Sequence, residues 1–115
     1  CSCAPPDPPI ESLKKVTAVF IGKVKNIRRG SWENKVTVEV SKVYKGDLVR
    51  EVIISTGIGG GDCGYPFQKD SQYLIYAWRS PEGSLQTDIC KRTKPLDKAV
   101  DEIKELDSYI DTQGE

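Results

Sequence analysis

The chain has 115 residues, enough for one domain around one core, and its 17 basic and 17 acidic side chains cancel to a formal net charge of zero. That balance argues against a nucleic-acid binder, and no stretch approaches the roughly 20 apolar residues that a membrane-spanning helix needs. Histidine is absent, which excludes a Ser-His-Asp triad, a Cys-His dyad and an HExxH zinc site.

Residues 1–9 carry prolines at positions 5, 6, 8 and 9, and predict an extended, stiff segment. Residues 10–15 predict a short helix with Pro8 and Pro9 at its start. The pattern then turns to strands. Residues 16–27 are rich in β-branched and apolar side chains, with Phe20 and Ile21 at the centre. A turn region, 28–34, leads into a second strand over 35–44. There Val36, Val38 and Val40 share one face, and Lys35, Thr37 and Glu39 the other. The phase breaks before Val43, which predicts a bulge near Ser41. Lys45-Gly46-Asp47 reads as a hairpin turn. A third strand is expected over 49–55, a fourth over 72–78 and a fifth over 84–90, the last two joined through Ser80-Pro81-Glu82-Gly83. Trp32 and Trp78 are assigned to hairpin or core packing.

After Pro95 the period becomes helical. Leu96, Val100, Ile103, Leu106 and Ile110 form an apolar stripe, and Asp97, Lys98, Asp101, Glu102, Lys104, Glu105 and Asp107 a solvated face. The expectation is one mainly β domain over residues 1–115. It is a five-stranded OB-fold barrel with strands within 16–90, a short N-terminal helix and an amphipathic C-terminal helix over 95–110.

Four cysteines stand at 1, 3, 63 and 90. Zinc knuckles use CxxC spacing, so a CxC followed by two distant single cysteines fits a disulfide set better than a metal site. In an extended chain residues two apart stand about 7 Å apart at Cα, at the far limit of disulfide geometry, so Cys1 and Cys3 are poorly placed to pair with each other. Two connectivities remain: Cys1–Cys63 with Cys3–Cys90, or Cys1–Cys90 with Cys3–Cys63. Either ties the N-terminus to the body, and a bridge closing about 60 residues stabilises by roughly 4 kcal/mol. Disulfides point to a secreted protein, and the absence of methionine is expected where a signal peptide has been removed.

A pinned terminus also presents its α-amino group and first carbonyl in a fixed direction. With a pKa near 8 the amine is partly neutral at pH 7, and with the Cys1 carbonyl oxygen it can close a five-membered chelate ring on a metal. Such a ligand can displace the water of a catalytic zinc, whose fourth position is open. The run Gly57-Ile58-Gly59-Gly60-Gly61 lacks the Lys-Ser/Thr of a phosphate loop and is followed by Pro66, so its glycines are read as turn and close-approach positions.

These residues together resemble the tissue inhibitors of metalloproteinases, in their N-terminal netrin-like domain. The likeness is carried by Cys1-Ser2-Cys3-Ala4-Pro5-Pro6, then Phe20-Ile21-Gly22-Lys23-Val24, then Val38-Glu39-Val40-Ser41-Lys42-Val43-Tyr44-Lys45-Gly46. It continues through Cys63-Gly64-Tyr65-Pro66-Phe67, Leu74-Ile75-Tyr76-Ala77 and Gly83-Ser84-Leu85-Gln86-Thr87-Asp88-Ile89-Cys90. The resemblance covers nearly the whole chain in order and is that of a distant or bacterial-type single-domain relative.

It implies the pairing Cys1–Cys63 and Cys3–Cys90. It implies a secreted, non-enzymatic inhibitor, monomeric when free, with no cofactor of its own, no nucleic-acid partner and a zinc metalloproteinase as partner. Cys1 would chelate the zinc of that enzyme and Ser2 would enter its S1′ pocket. Cys3, Ala4 and Pro5, with Gly60, Gly61, Asp62 and Cys63, would complete the contact ridge. The family's third bridge in this domain is missing. The alternative is a netrin-like binding module without inhibitory activity, held at a cell surface if Cys1 is a lipidated cysteine. An enzyme working through Asp62, Asp88 or Glu39 has no feature that pairs those carboxylates.

Overall fold

The computed structural model describes residues 2–59 and 62–113. Helix α1 spans Pro9–Lys15, so the extended N-terminal segment ends one residue earlier than expected. Pro9 belongs to the helix because its fixed φ suits the first turn, where a missing N–H costs no bond. Glu11 lies in the first turn and Lys14 and Lys15 in the last, matching the helix dipole, and Leu13 is buried.

Strands β1 (Ala18–Arg29) and β2 (Glu33–Lys45) form a long hairpin. It runs past the apolar residues, since Arg28 pairs with Lys35 and Arg29 with Asn34. Backbone ladder bonds need no apolar side chains, so the turn shrinks to residues 30–32. The bulge near Ser41 is present: Ile21 pairs with Lys42 and Gly22 with Val40, leaving Ser41 unpaired. The Ser41 hydroxyl donates to the Ile21 carbonyl at 3.2 Å. Strand β3 is Glu51–Gly57, β4 is Gln72–Arg79 and β5 is Leu85–Gln86. A further two-residue strand, β6 (Lys94–Pro95), lies beyond the expected limit of residue 90 and pairs with Tyr73 and Leu74 of β4.

The strands are ordered β1-β2-β3-β5-β4, and pairing of β1 with β4 closes them into a five-stranded barrel, the OB-fold arrangement. All pairs are antiparallel except β3 with β5, which meet only at Ile54–Leu85 and Ser55–Gln86. Strand β5 is far shorter than expected because side chains take over its polar groups. The Thr56 hydroxyl donates to the Thr87 carbonyl at 2.8 Å, and an Asp88 side-chain oxygen accepts from the Cys90 amide at 2.8 Å. Such local side-chain bonds bend a chain out of a ladder.

Two cores result. Phe20, Val24, Val36, Val38, Ile54, Ile75 and Leu85 fill the barrel. Val19, Ile21, Leu74 and Tyr76, on the outer faces of β1 and β4, pack with Leu13 of α1 and with Ala99 and Leu106. A single 3-10 turn, Leu96–Lys98, precedes helix α2, Val100–Gln113. Ala99, at φ −111° and ψ 12°, breaks the helix between them. That break corrects the expected stripe. Ala99, Ile103, Leu106 and Ile110 face the barrel, whereas Val100 is 53% exposed. It also corrects the solvated face, because Glu102 is only 7% exposed. None of the described helices is long and apolar enough to cross a membrane.

Candidate functional site

Ser2, Cys3, Ala4, Pro5, Pro6 and Asp7 run along the surface, all exposed. Cys3 is joined to Cys90 by a disulfide with Cα atoms 5.2 Å apart. Cys1, Gly60 and Gly61 lie outside the described residues, and with them the expected Cys1–Cys63 bridge. Cys63 sits beside the Cys3–Cys90 pair, its Sγ 3.8 Å from that of Cys90. The sulfurs of Cys3, Cys63 and Cys90 fall within 4.8 Å of one another, close enough to suggest a thiolate metal site. Metal binding needs thiolates. Cys3 and Cys90 are bonded to each other and no described cysteine is free, so the cluster is structural.

The chain around this cluster is fixed by short-range polar bonds. The Ile89 amide donates to the Cys63 carbonyl at 3.0 Å, joining the stretch after β5 to the loop after β3. The Tyr65 amide donates to the Thr56 hydroxyl at 2.8 Å, and the Thr87 hydroxyl to the Tyr76 carbonyl at 2.8 Å. Thr87 and Thr93 share a buried hydroxyl contact at 2.9 Å. Tyr65, Phe67 and Tyr73 pack with ring centroids 4.6 to 5.8 Å apart and root the loop in the barrel core. Burial pushes the Tyr65 phenol up to about 12, so it stays neutral at physiological pH.

Asp62 was expected on a contact ridge. Asp62 is exposed, and its carboxylate folds back onto its own loop. Oδ2 accepts from the Ile58 amide at 2.9 Å, and Oδ1 from the amides of Gly59 and Gly64 at 2.9 and 3.0 Å. Gly57 makes room for it, and Gly64 makes room for the backbone of Gly57. A Cβ on Gly57 would lie 2.5 Å from the Asp62 carboxyl carbon, and one on Gly64 would lie 2.1 Å from the Gly57 carbonyl oxygen. The loop amides that would cradle a phosphate are thus already engaged by the chain's own anion. The Gly64 amide, foremost, holds the Asp62 carboxyl below its ordinary value of 3.8; desolvation opposes it, and the Gly59 and Ile58 amides add to the lowering. A depressed carboxyl supports the loop above that ordinary value and lets go as pH falls through the lower folded value. Replacing Asp62 with Ala should accelerate hydrogen exchange at the Ile58, Gly59 and Gly64 amides by about tenfold or more. Exchange at Ile75 should stay unchanged. Equal rates at the three loop amides before and after the change would show that the carboxylate does not organise the loop.

Of the two tryptophans only Trp32 departs from the expected packing. Trp32 is 88% exposed at the hairpin tip. Trp78 is half-buried with the Lys91 ammonium 4.6 Å from its ring centroid. Together with Asp62 and Asp88 they line a cleft of about 270 Å³.

A buried ionic cluster was not anticipated. Glu102 accepts from the Tyr76 hydroxyl at 2.6 Å and from Arg92 Nε and Nη2 at 3.0 and 2.8 Å, and it is paired with Lys94 as well. Burial alone would raise its carboxyl, but Arg92, Lys94 and Tyr76 together outweigh that and hold it below 4.5. Burial, and then the same carboxylate, push the Tyr76 phenol up. A sequence signal exists for this cluster. Glu102 lies three residues from Ala99 and four from Leu106, both fully buried, and so on the apolar face of α2.

No family profile and no curated protein matches the sequence.

Proposed function

We propose that this protein is a secreted inhibitor of zinc metalloproteinases. In this reading the Cys1 α-amino and carbonyl groups chelate the zinc of the target enzyme, and Ser2 enters its S1′ pocket. Ala4, Pro5, Cys63 and the neighbouring residues Gly60, Gly61 and Asp62 form the flanking contact. The observation that carries it is the exposed run from Ser2 to Pro6, fastened at Cys3 by the bond to Cys90 on a closed barrel. A segment already held in place loses little conformational freedom when it docks. The disulfide also fits an oxidising, extracellular setting. Zinc belongs to the target, and the inhibitor carries no metal and performs no catalysis of its own.

The test is inhibition of a panel of zinc endopeptidases by three forms of the protein. These are Cys1 with a free amine, Cys1 carbamylated, and the chain extended by one residue before Cys1. The free form should inhibit at least one enzyme, and the blocked forms should be weaker by about 100-fold, the loss of one metal chelate. Equal inhibition by all three would remove chelation. No inhibition by any form would remove the inhibitor reading in favour of a netrin-like binding module, lipidated at Cys1 if intact mass shows an acylated cysteine.

A further inference from the structure

The N-terminal segment is fastened twice to the same short stretch of chain, residues 90–92. At one end Cys3 is bonded to Cys90. At the other, Arg92 Nη1 donates to the Asp7 carbonyl at 3.1 Å. Between these points Ala4, Pro5 and Pro6 pass over a cavity of about 270 Å³ that is also lined by Tyr76, Lys91 and Arg92. Consecutive prolines are stiff and extended, so a span pinned at both ends has little freedom to swing.

Arg92 is itself aimed. Its Nε and Nη2 are engaged by the two oxygens of Glu102 at 3.0 and 2.8 Å. The guanidinium is a rigid plane, so fixing two nitrogens fixes the direction of the third. Glu102 is held in turn by α2 and by the buried Tyr76 hydroxyl. Asp7 has other partners. The Ser12 hydroxyl donates to its carbonyl at 3.0 Å, and Lys15 pairs with its carboxylate at 2.7 Å. Both of those belong to α1. Arg92 instead ties Asp7 to the stretch that carries Cys90.

We propose that Arg92, oriented by Glu102, is a positioning residue for the N-terminal segment: it fixes the second end of the Cys3–Asp7 span and so the direction in which Ser2 and Cys3 are presented. Its consequence for inhibition rests on the inhibitor reading; the clamp itself does not. Helix α2 then contributes to presentation of the N-terminus through Glu102, without touching it.

The experiment is backbone 15N relaxation on the whole protein and on Arg92→Ala, Arg92→Lys and Glu102→Gln, with inhibition measured on the same samples. Lysine keeps a charge beside Glu102 but has one nitrogen and cannot serve Glu102 and Asp7 in the same fork, so it guards against a misfolded alanine variant. In the parent, order parameters at Ala4 and Asp7 should be near those of rigid backbone, about 0.85. In the Arg92 variants the value at Ala4 should fall below about 0.6, and that at Asp7, still held by Ser12 and Lys15, should fall by less. In Glu102→Gln both should fall part of the way, while Phe20 and Ile75 stay rigid. Inhibition should weaken about tenfold through slower association, as expected when the docking segment must be ordered on binding. Unchanged order parameters at Ala4 and Asp7, with a rigid core, would overturn the clamp. A parent protein that inhibits nothing would overturn the inhibitor reading alone, and the relaxation data would still decide the clamp.

Discussion

Replacing Cys3 and Cys90 together by serine should lower stability by about 4 kcal/mol and the melting temperature by roughly 15 °C. The bridge spans 87 residues of sequence, and by loop-closure entropy so large a ring restricts the unfolded chain strongly. A domain of this size commonly has only about 5–15 kcal/mol in total, so the loss is a large share of it. Changing both cysteines avoids leaving a free thiol near Cys63. Equilibrium denaturation in urea reads the effect, with the midpoint falling and the slope rising as the unfolded state expands. A loss under about 1 kcal/mol would mean that the open chain is already restricted without the bridge.

Replacing Glu102 by Ala should cost about 3 kcal/mol, because it strands two cations and a buried phenol that the carboxylate now satisfies. The upper end of the usual range is not expected, since the Arg92 and Lys94 side chains are 21% and 26% exposed and can turn toward water. The pH dependence has a definite sign. The Glu102 carboxyl is held below its ordinary value of 4.5. Its stabilising contribution is therefore fully present above that value and is lost as pH falls through the lower folded value. Stability of the parent should decline more steeply below about pH 4.5 than that of Glu102→Gln, which has no carboxyl to protonate there. Asp62 and Asp107 are also depressed carboxyls, but they are common to both proteins and cancel in the comparison. Parallel acid transitions in the two proteins would show that Glu102 is not held in its charged form by its neighbours.

Much of the barrel was legible because its strands obey simple periodicities. Val36 and Val38 alternate with polar neighbours, and the lost phase marks the bulge at Ser41. Strands β1 and β4 read as unbroken apolar runs because both faces are covered, one by the barrel interior and the other by the helices. The length of β5 was not legible, since Thr87 and Asp88 are compatible with a strand until their side chains are seen to bond elsewhere. The stripe of α2 is legible at Ile103, Leu106 and Ile110, but Ala99 takes the place expected for Val100 because nothing in the local sequence announces the break at Ala99. At the site, spacing alone brought the cysteines to the N-terminus but left their partners undecided. The folding back of Asp62 onto its loop depends on room at Gly57, and the reach of Arg92 to Asp7 spans most of the chain. Both are products of tertiary closure, invisible to a local pattern.

The closing pairs of the barrel also set an order of assembly. The hairpin of β1 with β2, and the pairing of β2 with β3, join neighbouring segments and can form while the chain is still short. The seam of β1 with β4 and the bond from Cys3 to Cys90 must wait for the second half of the sequence. Domains made on a ribosome expose their first residues earliest. Here Cys3, which precedes every strand in the chain, is among the last residues to be fixed. Any early oxidation of Cys3 with a wrong partner therefore has to be undone before the barrel can finish, and folding yield should depend on disulfide exchange more than on the speed of strand pairing.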